Sequence, residues 1–247
     1  MPRFFVTASQ IENGVVTIKG DDAHHISRAL RMAAGECITV CDMQKNEYAC
    51  ELTAFLPDCV QARVLSCTES ATEPPVHITL YQALPKSDKM DSIIQKAVEC
   101  GACRIVPFES ERCVVRVKPE GEAHKTERRR RIALEAAKQC GRGVIPEVQP
   151  SVSFSQMLAD AAQCDRVFFC YEGDETRPLG QLLHENAVVP GSRIAIVIGS
   201  EGGFSLSEAA RARECGFLLT GLGSRILRTE TASGFALACI CCVTELS

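Results

Sequence analysis

No apolar run in this 247-residue chain approaches the roughly 20 residues that a membrane-spanning helix needs. The opening MPRFFVTASQ lacks the basic, apolar and small-residue zones of a signal peptide. The expectation is a cytoplasmic protein with no membrane partner. Internal repeats and low-complexity tracts are absent, and with 46% apolar and 23% charged residues the composition is that of an ordinary globular chain. Its length allows one large domain or two small ones. Also missing is a second C-x-x-C at zinc-site spacing. Cys100 and Cys103 form a C-x-x-C pair with no partner pair near it in sequence, and most of the 15 cysteines fall within apolar stretches such as ITVCDM, VFFCYEG and LACICCV. A thiol there acts as a small hydrophobe, so free packing cysteines and no bound metal are expected.

What is present changes character once. Residues 4 to 67 carry the strand-like runs RFFV, VVTIKG, CITVCD, EYACELTAFL and VQARVLSC, interrupted by the helical DDAHHISRALRM. This predicts a small β-barrel-like domain. TESATEPPV, residues 68 to 76, has the composition of a linker. From Val76 onward strand and helix patterns alternate, which predicts an α/β domain. Its best-defined unit is a βαβ in which Met90, Ile93, Ile94, Ala97 and Val98 form one helical face and Gly101 ends the helix. Further helices are expected near 126–140, 178–185 and 205–215, with strands near 166–171, 193–198 and 217–222. The final TETASGFALACICCVTEL is apolar on nearly every face, so it needs burial in its own core or against a second subunit.

The net charge is −4, but between Arg104 and Arg142 eleven Lys and Arg stand against six Asp and Glu, including KTERRRR. That run is either a solvated helix face or an RNA-backbone contact. His24 and His25, adjacent on a helix, point in different directions and are expected to be structural.

Two glycine-rich loops carry the functional signal. In VIGSEGGFSLSEAARARECGF, residues 197 to 217, neither the G-x-G-x-x-G of a dinucleotide fold nor the G-K-[ST] of a P-loop occurs. Ser205 and Glu208 form a capping box, which takes up helix amides an anion would need. A glycine turn holding one acid, Glu201, suits a ligand with hydroxyls and positive charge, such as S-adenosylmethionine. The second loop, GLGSRILRTETASGF, residues 221 to 235, follows another strand and leads into the last helix with Thr229 as a candidate N-cap. Both loops would lie at the carboxyl ends of parallel strands and can line one crevice.

PKSDKMDSIIQKAVECGACRIVPF, LEAAKQCGR, IGSEGGFS and LGSRILRTETA, in this order along the chain, resemble the SPOUT-class RsmE family of 16S ribosomal RNA uridine N3-methyltransferases. The resemblance covers nearly the whole chain. Ser200 and Ser224 depart from it, standing where the family usually has proline. It implies a PUA-like RNA-binding β-barrel over residues 1–70 and a trefoil-knotted α/β methyltransferase domain over 74–247. It also implies a homodimer that binds S-adenosylmethionine and acts on 16S rRNA within the assembled small ribosomal subunit. Carried over by motif, the cofactor residues are Gly199, Glu201, Gly202 and Gly203, then Leu222, Gly223, Ile226 and Leu227, with Thr231 and Ala232 closing the site and Tyr171 and Glu172 forming a third edge. Arg228 is the expected catalytic group, stabilising charge on the uracil or holding a phosphate. Glu230 is the candidate proton acceptor, with helix-dipole stabilisation and proton loss to water as alternatives. RNA contact is expected at Arg3, Arg28, Arg31, Arg112 and Arg142. A non-enzymatic RNA-binding module would leave the glycine loops without a purpose. A small-molecule methyltransferase would leave the first domain and the arginines without one, and another RNA, such as tRNA, is the remaining alternative.

Overall fold

The computed structural model describes residues 1–186 and 188–246. The chain divides into two compact units, Met1–Glu73 with Ala137–Ile145 and Pro74–Ala136 with Pro146–Ser247. In the first, β1 (Arg3–Phe5), β2 (Ile11–Glu12) and β3 (Val15–Lys19) precede α1 (Gly20–His24), which runs into a π-turn over His25–Ala29. Then come β4 (Cys37–Cys41), β5 (Asn46–Phe55) and β6 (Cys59–Glu69). They form one six-stranded sheet in the order β1-β4-β5-β6-β3-β2, antiparallel except for the β1–β4 pair. The alternating pattern read in the sequence turns one set of side chains inward. Phe4, Val16, Ile18, Ile38, Val40, Leu52, Val60 and Ala62 are buried with Ile26 of the π-turn. His24 and His25 are exposed, and the His25 ring meets Phe4 edge-on at 6.3 Å.

The return of residues 137–145 to this unit was not visible in the linker composition. Its reason is local and ionic. Arg142 donates to both Glu73 oxygens, at 2.9 and 2.7 Å, and the Gly143 and Val144 amides donate to the same carboxylate. Lys138 bonds Asp22 at 2.9 Å and lies over the Phe4 ring.

The second unit holds β7 (His77–Ala83), α2 (Lys89–Glu99), β8 (Ala102–Glu109), α3 (Pro119–Cys140) up to Ala136, β9 (Glu147–Val148), β10 (Val152–Ser153), α4 (Phe154–Ala161), β11 (Arg166–Cys170), β12 (Arg177–Pro178), α5 (Leu179–Glu185), β13 (Arg193–Ile198), α6 (Leu206–Glu214), β14 (Leu218–Gly221) and α7 (Thr229–Glu245). The main path of its parallel sheet is β10-β8-β7-β13-β11-β14-β12, and β9 pairs with β8. A parallel sheet covered on both faces needs continuous apolar strands. Central β13, RIAIVI, is buried from Ile194 to Ile198. The expected face of α2 is also buried, at Met90, Ile93, Ile94, Ala97 and Val98, each such large side chain contributing about 1.5–3 kcal/mol. Gly101 takes the left-handed conformation, φ +79°, that ends this helix.

Short strands β2, β9, β10 and β12 were not expected, and two helices also differ from the sequence reading. Helix α4 was not expected, yet Ser153 and Gln156 form a capping box at its start. Helix α7 is not buried all round: Thr229, Ser233, Ala236, Leu237 and Ile240 face the core, while Phe235 and Val243 are 42% and 43% exposed. Among the described residues no helix is long and apolar enough to cross a membrane.

Candidate functional site

The parallel strands deliver their carboxyl ends to one place, as open α/β sheets do at a reversal of strand order. A cavity of about 770 Å³ opens there, walled by residues 170–173 after β11, 198–204 after β13 and 221–229 after β14. Of the cofactor residues carried over by motif, Tyr171, Glu172, Gly199, Glu201, Gly202, Gly203, Leu222, Gly223, Ile226, Leu227 and Ala232 line it, as does Arg228. Thr231 does not: it is exposed on the first turn of α7, where its amide donates to the Arg228 carbonyl at 2.8 Å.

The glycines are required by space and by backbone. A Cβ at Gly199 would come within 3.2 Å of Gly203 Cα, and one at Gly202 within 3.1 Å of Arg112 Cβ. Gly203 and Gly223 have φ of +63° and +105°, which side chains disfavour. Ser205 and Glu208 form the expected capping box. Glu208 also accepts the Glu111 amide at 2.8 Å, so the start of α6 is satisfied by protein groups. Cys170 on the cavity wall is a neutral thiol, since burial and then neighbouring Cys239 push it up to about 12.

Thr229 does not cap α7. The cap position is Arg228, with extended backbone, and Thr229 is the first helical residue. Its hydroxyl instead donates to the Gly199 carbonyl at 2.6 Å and accepts from buried Gln82 Nε2 at 2.9 Å. Tertiary demand outweighs capping here, because the hydroxyl ties the second loop to the first. Ser200 Oγ, buried beside it, has no protein partner.

A cation that the sequence reading passed over completes the site. Lys89, at the start of α2, lies 3.0 Å from Glu201 Oε1 and 3.2 Å from Glu230 Oε2. Burial pushes the Glu201 carboxyl up, but its own amide, Lys89 and the Lys86 amide outweigh that and hold it below the usual carboxylate range. Glu230 is lowered by its own amide and then by Lys89, against some burial. Glu230 is not on the cavity wall. A carboxylate already engaged in this way is a weaker base than a free one.

The expected RNA-contact arginines fare differently. Arg142 is buried, its side chain 4% exposed against Glu73, and so is unavailable to a phosphate. Arg3 is spent on Glu47 at 2.8 Å, on Cys41 Sγ and on the Arg142 carbonyl. Arg28 and Arg31 are exposed. Arg112 is exposed at the cavity and donates to the Gly202 carbonyl at 3.1 Å. Arg225, absent from the sequence reading, lines the same wall as Arg228. The arginine run of α3 is largely engaged by the protein itself, although only Arg129 is buried: Arg128 pairs with Asp91, Arg129 with Glu122 and Ser151, and Arg130 donates to the Val148 carbonyl.

A crevice of this make-up, with an acid in a glycine turn and arginines at the rim, suits a cationic, hydroxyl-bearing ligand beside a nucleic acid. The sequence matches the family model of an RNA methyltransferase domain over residues 72–241 and that of an RNA methyltransferase PUA domain over residues 18–54. It is 38% identical to the ribosomal RNA small subunit methyltransferase E of Bacillus subtilis, across 100% of this chain and 98% of that protein. With the protein of the same description from Synechocystis it shares 31%, across 98% and 78%. The crystal structure of a ribosomal RNA small subunit methyltransferase E from Neisseria gonorrhoeae bound to S-adenosyl methionine superposes with a TM-score of 0.83 at 31% identity, covering 98% of this chain and 97% of that one. The chain belongs to the ribosomal RNA small subunit methyltransferase E family, RNA methyltransferases that carry a PUA domain.

Proposed function

We propose that this protein transfers the methyl group of S-adenosylmethionine to N3 of a uridine in the 16S rRNA of the small ribosomal subunit. The observation that carries the cofactor part is the cavity between the two glycine loops, with the Glu201 carboxylate held ionised on its wall. The residues fit that ligand. Gly199 and Gly202 let the first loop pack tightly on itself and on Arg112, buried Ser200 Oγ is unpartnered, and Leu222, Ile226 and Leu227 give apolar surface. When bound, the cofactor supplies an electrophilic methyl on a sulfonium.

The rest is the work of the chain. Methylation at N3 needs the nitrogen lone pair in line with the S–CH₃ bond, so holding the uracil in place is the first contribution. Arg228 remains protonated and stands exposed at the cavity, where it stabilises the negative charge that the ring gains as the N3 proton leaves. Glu230, engaged by Lys89, serves position rather than proton transfer, and the proton passes to solvent. Arg28, Arg31, Arg112 and Arg225 supply phosphate contacts.

The exposed apolar side chains of α7, Phe235 and Val243, together with Leu206 and Ile226 at 78% and 84% exposure, support a homodimer that covers them. Light scattering at twice the chain mass checks this. The threading of α7 as a trefoil knot stays part of the proposal, as does a cytoplasmic place of action beside the ribosome.

The test is methyl transfer from labelled S-adenosylmethionine to small ribosomal subunits lacking the modification, with wild type and Arg228→Ala in parallel. Label at a uridine N3 is expected with wild type. Arg228→Ala should still bind cofactor and lose about 10²–10³ in kcat, the usual cost of one charge-stabilising donor. Cofactor binding without label on the subunit or its RNA would overturn the substrate assignment.

A further inference from the structure

Lys89 is the first residue of α2, and Asp88 before it makes no side-chain cap. A cation there is opposed by the helix dipole, so helix formation does not account for it. What it touches does. Its ammonium lies between Glu201, in the loop after β13, and Glu230, in the first turn of α7. These two carboxylates come from segments about thirty residues apart in sequence, and both flank the loops that line the cavity. Without the ammonium they share, the two carboxylates would repel, and one would take up a proton more readily.

We infer that Lys89 is a positioning residue for the methyl-transfer site: it bridges Glu201 and Glu230 and so fixes the first glycine loop, with the Glu201 carboxylate on the cavity wall, to the start of α7. The inference rests on the cofactor reading above. The other groups facing the pair are the Lys86 amide, which donates to both Glu201 oxygens at 3.1 and 3.3 Å, and the Arg228 guanidinium, whose charge lowers Glu230 further. Neither spans the two acids. Lys89 is the group among the described residues that forms an ion pair with each of them.

The sign of the effect follows. With the bridge in place Glu201 and Glu230 titrate below their ordinary range, so the ionised site persists to low pH. Without it the pair begins to take up protons at higher pH, and cofactor affinity is lost earlier on acidification.

The experiment compares wild type, Lys89→Met and Lys89→Arg. S-adenosylmethionine affinity is measured by calorimetry from pH 3 to pH 8, and the ligand-free proteins are melted across the same range. Lys89→Met keeps the apolar stem and removes the charge. Its acid limb of cofactor affinity should move up by about one pH unit, while Lys89→Arg keeps the wild-type limb. The melting advantage of wild type over Lys89→Met should be present at neutral pH and fade as the carboxylates protonate. An acid limb that Lys89→Met shares with wild type, with affinity lowered by the same factor at every pH, would overturn the inference and leave the cofactor reading intact. A wild-type protein that binds no cofactor at any pH would overturn both.

Discussion

Single residues here decide more by whom they face than by what they are. Thr229 has the composition of an N-cap and stands next to one, yet its hydroxyl bonds Gly199 and Gln82. Sequence spacing can locate a helix start to within a residue, but it cannot reveal a partner thirty residues earlier. Arg142 teaches the same point with charge. Read as a lone surface arginine it suggests RNA, but the fold buries it against Glu73, both side chains under 10% exposed. Burial opposes ionisation of Glu73, and Arg142 with the Gly143 and Val144 amides outweighs it, so the carboxyl lies below the usual range. A group depressed in the folded state contributes stability above its unfolded pKa, about 4.5, and loses it as pH falls towards the folded value. Arg142→Ala leaves a buried carboxylate unpaired and should cost about 3–5 kcal/mol at pH 7. In urea titrations, the gap from wild type should narrow as pH drops below about 4.5. A gap of the same size at pH 3 and pH 7 would refute the ionic account.

At the scale of elements, long periodic segments were legible and partner-dependent ones were not. The face of α2, the run of β13 and the capping box of α6 could be read directly, because burial on one or both faces leaves a periodic signature. Helix α4 escaped because eight residues give barely two turns of pattern, although its Ser153–Gln156 box was there to be seen. Lys89 escaped for a related reason. Its one sequence signal is a cation at the wrong end of a helix, which only becomes informative once Glu201 and Glu230 are known to converge on it. The cavity itself was half legible. The two glycine loops announced themselves, and their meeting required the strand order. Helix α3 shows how a charge run misleads. Four consecutive arginines on a helix point four ways, and here Arg129 is turned inward to Glu122 and Ser151. Arg129→Ala should therefore lower stability by several times more than Arg131→Ala, whose exposed side chain should cost no more than about 0.5 kcal/mol. Chemical denaturation of the two variants distinguishes them, and equal losses would return the run to a solvated face.

For the whole molecule, a net charge of −4 must be reconciled with an RNA substrate. A uniformly basic surface is not needed if a few exposed arginines carry the contact, because affinity follows the phosphates actually neutralised. Internal pairing has already removed Arg3, Arg128, Arg129 and Arg142 from that role. Arg28 and Arg31 in the first unit remain exposed, and Arg112, Arg225 and Arg228 stand at the cavity wall of the second. The acidic remainder of the surface then repels RNA elsewhere and confines binding to those points. Such a protein should show a shallow salt dependence, with each lost phosphate contact changing the slope of log K against log salt by about 0.7–0.9. Replacing Arg28, Arg31 and Arg225 together by alanine should flatten the slope for small ribosomal subunits by about 2–3. Replacing Arg142 in place of these three should leave the slope where it was, since that charge faces Glu73 and never meets a phosphate.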